Sequence, residues 1–390
     1  MGVDGGTGRG RAAKGDRAPA PEVWGWSLTV TESVSRRVRR VVVKVGTGVV
    51  ARPDGGLALG RMGALVEQIH ALQADSLEVL LVSSGAVGLG ARQLGFARRP
   101  EGVVDRQACA AAGQGALMAF YDGLFRRLGT RSAQVLLTES DFHFRARFNN
   151  LTATLERLLK LGAVPILNEN DALSTAELAM AHGPERGGVF GDNDRLSALV
   201  ASYLSADLLV LLTNVDGVYT RPPTEPGAQR IQHWTEQVDF VEGAASTLGR
   251  GGMGSKIDAA RLAARRGVHT VIASGDTPNV LPRLVVGEPL GTTFAATSDP
   301  LSRRKAWLAF ATAPAGSLHV NAGAHAALLT RGASLLAVGV ESFDGAVAEG
   351  AVVRVVHDGT EFARGVLSHA PGSPPSDRRP LIHRDDLVLV

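Results

Sequence analysis

This chain predicts an α/β fold: a three-layer αβα sandwich with helices on both faces of a mainly parallel sheet, followed by a small, mostly β domain of barrel type. Three observations point there. Short runs rich in Val, Leu and Ile recur at wide spacing, with helical patterns between them. Those runs are apolar throughout rather than alternating, the pattern of strands buried on both faces. After about residue 306 the segments shorten and crowd together, separated by Gly- and Asp-containing turns.

The order begins late. Residues 1–37 are rich in Gly, Arg, Ala and Pro without sustained periodicity, the composition of a disordered extension. Strands are predicted at 41–45, 78–82, 133–137, 163–167, 207–213 and 269–273. Helices fall between them at 58–74, 104–128, 149–161, 194–204 and 255–266. This α/β part spans 38–305. The smaller domain, 306–390, places short segments at 317–320, 334–340, 351–357, 361–367 and 386–390, with one helix at 322–330. The Pro-rich stretch 370–380 reads as a loop.

Hydrophobic residues make up 45 % of the chain and aromatics only 5 %. The core therefore rests on Ala, Val and Leu, which suits helices packed on a sheet. The net charge of +3 is small for 390 residues. Much of the excess is local, since 9–17 and 36–40 carry seven Arg and one Lys against one Asp. The chain is thus a poor match to a nucleic-acid binder. Cys109 is the single cysteine, which excludes an intramolecular disulfide and any multi-Cys metal site. It lies in an Ala-rich helical run and reads as a small core residue. No apolar run approaches a membrane span and residues 1–23 lack the apolar centre of a signal peptide, so a cytoplasmic protein is expected.

Polar clusters stand at the carboxyl ends of the predicted strands, where parallel α/β sheets bind ligands. They are Gly46-Thr47-Gly48, Ser83-Ser84-Gly85, Asn168-Glu169-Asn170-Asp171 and Thr213-Asn214-Val215-Asp216. Gly191-Asp192-Asn193-Asp194 opens a helix with two carboxylates around an amide, more than capping needs. Lys44 sits in a strand of valines, and a lysine is rarely buried there without a partner. It either reaches solvent from the strand end or holds a cation over phosphate oxygens. Gly249-Arg250-Gly251-Gly252-Met253-Gly254-Ser255-Lys256 leads into a helix, a second setting for phosphates. The order Gly-Ser-Lys fails a Walker A signature, and the Gly249, Gly251, Gly254 spacing is only a weak dinucleotide fingerprint. Two lysines beside Gly-rich loops suit phosphoryl transfer, where catalysis is chiefly positioning and electrostatic stabilisation. No nucleophile with an adjacent base is evident, and the ten histidines show no metal-ligand spacing. A substrate that supplies its own attacking oxygen accounts for both.

In order, the strings VVVKVGTGVV, VSSGAVGLG, AVPILNENDA, FGDNDRLSA, LLTNVDGVYT and GRGGMGSK, between residues 40 and 256, resemble the glutamate 5-kinase family. That family has the amino acid kinase fold and a C-terminal PUA domain, which RGASLLAVGV and HRDDL resemble in turn. The resemblance implies transfer of a phosphoryl group from ATP, with Mg²⁺ bridging its phosphates, to the γ-carboxylate of L-glutamate, the first step of proline biosynthesis. It implies that Lys44 and Lys256 stabilise the transferring group and that Asp194 holds them. Ser84, Asp171 and Asn193 would bind glutamate. Lys44, Thr213, Asn214 and Arg250, Gly251, Gly252, Met253, Gly254, Ser255 and Lys256 would contact ATP, and no protein metal ligand is implied. Proline as feedback inhibitor, a homo-oligomer and handover to glutamyl phosphate reductase are implied as well. Asn214 replaces a usual Asp, Arg250 a Thr and Ser255 a common Thr. An insertion around 179–188 precedes the Gly191–Asp194 cluster, and the PUA-like part is shortened. The alternatives are a kinase of this fold acting on another small acid, and an RNA-binding PUA protein.

Overall fold

A computed structural model describes residues 1–2, 38–52, 56–138, 140–143, 145–172, 193–236, 252–297, 308, 314–345, 347–370 and 379–390. The extension 3–37, the insertion 179–188 and most of the Pro-rich loop lie outside the described residues.

The chain from Val38 to Val390 forms one compact unit. Its elements begin with β1 (Arg40–Val45), α1 (Thr47–Val50), α2 (Leu59–Ala74), β2 (Glu78–Ser83), α3 (Ala86–Gln93) and α4 (Val103–Arg127). There follow β3 (Arg131–Leu137), α5 (Ser140–His143), α6 (Arg145–Lys160), β4 (Ala163–Glu169), α7 (Asn193–Tyr203) and β5 (Leu208–Thr213). A hairpin of β6 (Val218–Tyr219) and β7 (Arg230–Ile231) precedes α8 (Met253–Ala264), β8 (His269–Ser274), α9 (Val280–Val285) and β9 (Thr292–Phe294).

The main sheet has the order β3-β4-β2-β1-β5-β8-β9. Every pair is parallel except β8–β9. The antiparallel edge strand β9 was not among the strands expected from sequence. Side chains alternate along each strand, and the alternation divides the core in two. Val42, Leu80, Val82, Leu167, Leu209 and Leu211 pack under α6, α7 and α8. Val41, Val43, Val79, Leu81, Ile166 and Val210 pack under α2, α4 and α9 on the other face. This is the three-layer arrangement.

Helices α3 and α4 cross with backbones in contact. A Cβ on Gly113 would lie 2.0 Å from the Ala86 carbonyl oxygen, and one on Gly90 would lie 1.7 Å from that of Cys109. Cys109 itself is buried there with Val87, Ala91 and Ala110. Gly113→Ala is expected to destabilise the protein by at least about 1–3 kcal/mol, the cost of overpacking, because neither backbone can retreat. A urea midpoint equal to wild type would contradict that crossing.

The C-terminal part has the sheet order β11-β10-β12-β13-β14, formed by β10 (Gly316–Val320), β11 (Val340–Gly345), β12 (Val352–His357), β13 (Thr360–Val366) and β14 (Leu387–Leu389). Helix α10 (Ala322–Arg331) is capped by Asn321, whose side chain accepts from the Ala324 N–H, and ends at Gly332 in the left-handed region. One expectation is corrected. Segment 334–340 is not a strand: Leu335 bridges Ile382, a 3-10 turn follows at Ala337–Gly339, and the strand starts at Val340. The strand proper, Val-Glu-Ser-Phe-Asp-Gly, is mostly exposed and lacks the apolar alternation that marks one.

Candidate functional site

Strand β1 pairs with β2 on one side and with β5 on the other. The carboxyl ends of these three strands bracket the point where the chain changes direction across the sheet, the usual crevice for ligands. Gly46, Ser84 and Asn214 stand at those three ends. Glu169-Asn170-Asp171 follows at the end of β4.

Strand periodicity decides which way Lys44 points. Val42 packs under α7 and α8, so Lys44, two residues on, faces the same layer. There its Nζ meets Asp194 Oδ1 at 2.6 Å, and Lys256 Nζ meets Asp194 Oδ2 at 3.2 Å. The side chains of Lys44 and Asp194 are 4 % and 0 % exposed, that of Lys256 9 %. Lys44 therefore does not reach solvent. Two ammonium groups meet the two oxygens of one buried carboxylate, a placement that suits an anion beside them.

The second lysine is placed by α8. That helix starts at Met253 with Gly252 as an extended N-cap and no side-chain cap hydrogen bond. Its first turn thus offers backbone N–H groups and dipole to an anion. Lys256 Nζ also donates to the Gly252 carbonyl at 3.3 Å. Ser255 Oγ lies 3.2 Å from Asp194 Oδ2 and 3.1 Å from Gly252 O, so its single proton serves one or the other. Met253, Gly254 and Ser255 are thereby beside the triad; Arg250 and Gly251 lie outside the described residues. Thr213 Oγ1 donates to Asn214 Oδ1 at 3.2 Å, and Gly48 faces the Asn214 side chain across the β1–β5 gap.

A second cluster adjoins the first. Asn193 Nδ2 donates to Ser84 Oγ at 3.0 Å, Asn168 Oδ1 at 2.9 Å and the Ser83 carbonyl at 3.3 Å. Asp171 is half-buried near Arg99 and Arg106. Burial raises its pKa, and the two guanidinium charges pull it back. Arg99, Arg106, Asn168 and Gln114 were not singled out from the sequence. Asn168 stood unassigned beside Asp171 in the same string; the arginines and Gln114 carry no local signature, because folding alone brings them here.

Comparison with known proteins places the chain in a family. Residues 39–274 match the Amino acid kinase family and residues 316–369 match the PUA domain. The chain belongs to the amino acid kinase family. Among its relatives, the "Glutamate 5-kinase" of Bifidobacterium adolescentis is 42 % identical over 372 residues, covering 90 % of this chain and 95 % of that protein. The proteins of that name from Gloeobacter violaceus and Chromohalobacter salexigens are each 42 % identical, over 90 % and 93 % of this chain and 99 % of their own lengths. Within the family, this chain is a member of the glutamate 5-kinase group.

Proposed function

We propose that this protein transfers the γ-phosphoryl group of ATP to the side-chain carboxylate of L-glutamate, giving L-glutamyl 5-phosphate and ADP, the entry into proline biosynthesis. The buried Lys44–Asp194–Lys256 triad at the strand ends carries this reading on the structural side. Relatives named glutamate 5-kinase along nine tenths of the chain supply the substrate.

The chemistry asks little beyond placement. A glutamate side chain is ionised at neutral pH, its ordinary pKa being about 4.3, so the attacking oxygen needs no base. One carboxylate oxygen bonds to the γ-phosphorus while the bond to the β-phosphate oxygen breaks, and charge spreads over the equatorial oxygens. Lys44 and Lys256 sit where two cations stabilise that charge, and Asp194 holds both at fixed separation. The uncapped start of α8, with Gly252, Met253, Gly254, Ser255, Gly251 and Arg250, takes the nucleotide phosphates, as do Thr213 and Asn214 from β5. Mg²⁺ held by the nucleotide would offset the charge on those phosphates. Ser84, Asn193 and Asp171 hold the amino acid, with the Asp171 carboxylate opposite its ammonium group. Arg99 and Arg106 suit the α-carboxylate.

The resemblance supports feedback by proline, a homo-oligomer and handover to glutamyl phosphate reductase; the change of pattern near residue 306 supports a division into kinase (38–305) and PUA-like (306–390) domains, and a cytoplasmic setting rests on the sequence alone. No helix among the described residues is long and apolar enough to cross a membrane.

The test is ADP release from MgATP with L-glutamate, L-aspartate or N-acetyl-L-glutamate, hydroxylamine being present to trap acyl phosphate. Hydroxamate forms with L-glutamate and not with the N-acetyl compound, which lacks the ammonium. Equal turnover of N-acetyl-L-glutamate would sink the assignment. The pH dependence has a sign. Protonated Asp171 cannot pair with an ammonium, so the KM for L-glutamate rises on acidification. Because burial raises the pKa of Asp171, the rise begins at a higher pH than a solvated aspartate would give. A KM that stays flat until the ordinary carboxylate range would remove Asp171 from ammonium binding.

A further inference from the structure

Two backbone groups fix the polarity of the amide cluster beside the triad. The Glu169 N–H donates to Asn168 Oδ1 at 2.9 Å, so that oxygen is the inward end of the Asn168 amide. Its Nδ2 then turns outward and donates to Gln114 Oε1 at 2.7 Å. Asn168 Oδ1 and the Ser83 carbonyl both face Asn193, and neither has a proton to give. Asn193 must present its NH₂ to them. Its Oδ1 is left buried, with no hydrogen-bond partner among the described residues.

A buried acceptor without a partner is costly and unusual. Phosphate oxygens and carboxylates bring no proton to it, whereas an ammonium brings three. The oxygen thus disfavours the anionic groups of the two substrates and suits only the cationic one. Gln114 is the far end of this chain of amides. It follows Gly113, where α4 meets α3 backbone to backbone, so its helix is locked against the segment that begins just after Ser84. Among the described residues, Gln114 Oε1 is the acceptor that Asn168 Nδ2 meets.

We propose that Gln114 is a positioning residue for the acceptor amino acid: through Asn168 it orients the Asn193 amide, so that Asn193 Oδ1 receives the substrate's α-ammonium group. This rests on L-glutamate being the acceptor. Without the Gln114 oxygen, Asn168 Nδ2 loses its acceptor, and the Glu169 N–H is left as the one contact that sets the direction of the Asn168 amide. Whenever that amide turns over it presents NH₂ to the NH₂ of Asn193, and the Asn193 carbonyl is then held towards the ammonium by the Ser83 carbonyl and Ser84 alone.

The test compares full-length Gln114→Met, of similar length but with no acceptor at that position, with Gln114→Glu, which keeps one. The KM for L-glutamate is expected to rise about tenfold in Gln114→Met, the loss of a hydrogen bond to a charged group, while the KM for MgATP does not move. Gln114→Glu recovers most of that loss. Glutarate, which lacks the ammonium, competes against L-glutamate equally well in wild type and Gln114→Met. A merely structural role would raise both KM values together and would leave Gln114→Glu as impaired as Gln114→Met; either result overturns the proposal. So does a glutarate affinity that weakens in step with that of L-glutamate, which would assign the relay to a carboxylate. Wild-type protein without glutamate-dependent turnover would bring down the functional reading and this one with it. A normal L-glutamate KM in Gln114→Met overturns the relay alone.

Discussion

Lys44→Met and Lys256→Met each lower kcat by at least about 10²–10³-fold, the loss seen when one preorganised donor to a transition-state oxyanion is removed, and neither unfolds the chain. The asymmetry comes from the charge count at the triad. Wild type holds two ammonium groups on one carboxylate. Removing either lysine leaves Asp194 paired with the remaining one, and methionine refills the vacated volume with apolar atoms. Replacing a buried charge by a hydrophobe of similar size is often neutral for stability when no charge is stranded. The thermal midpoint should therefore stay close to wild type while trapped hydroxamate nearly vanishes. The two variants should also differ in kind. Lys44 rises from the sheet, and Lys256 from the helix whose first turn faces the phosphates. Loss of Lys256 should accordingly raise the KM for MgATP as well. Normal turnover in either variant would remove that lysine from the reaction.

The sheet was legible in the sequence because its inner strands carry apolar runs of three to five residues, as burial on both faces produces, whereas the edge strand β3, Arg-Ser-Ala-Gln-Val-Leu-Leu, is mostly exposed or half-buried. Lys44 stood out for the same reason, as a cation in a row of valines. Its direction followed from strand periodicity, but its partners came from two helices that start some 150 and 210 residues further along. The Asp194 and Lys256 segments were visible as helix starts rich in glycine and carboxylate. That both converge on Lys44 is a property of the layer order. The features that escaped notice lack a local pattern. Strand β9 is Thr-Thr-Phe, too short to show a period. Helix α3 carries two glycines in eight residues and reads as a turn, although Gly90 is what lets it lie against α4. Gln114 is an ordinary polar residue in a helix until the fold sets it 2.7 Å from Asn168. The nucleotide-side changes Arg250 and Ser255 part company here. Ser255 keeps a hydroxyl within reach of Asp194, while Arg250 lies outside the described residues.

Asp194→Ala is expected to be the most damaging single change, because it costs activity and stability together. Asp194 is fully buried, and its two oxygens separately meet Lys44 and Lys256. Deleting the carboxylate takes from both buried ammonium groups the partner they share. Breaking a buried ion pair by removing one partner costs about 3–5 kcal/mol, and here two cations lose the same partner. Cavity formation adds little, since Asp and Ala differ by one carboxylate group. The helix loses as well: Asp194 lies in the first turn of α7, where a negative charge complements the dipole. Electrostatic and packing explanations separate in a double variant. If stranded charge is the cause, Asp194→Ala with Lys44→Met is more stable than Asp194→Ala alone, although still inactive. If the cause is lost packing, the two substitutions add and the double variant is the worst of the three. Inorganic phosphate offers a second reading of the same charge. An anion that binds only the folded state raises its midpoint by mass action, and the two lysines should bind it more tightly without the Asp194 carboxylate than the wild-type triad does. A phosphate-induced midpoint shift larger in Asp194→Ala than in wild type, and abolished by adding Lys44→Met, would identify the buried lysine pair as the anion site. No phosphate dependence in any of the three would mean that the triad holds the layers together without meeting the phosphoryl group.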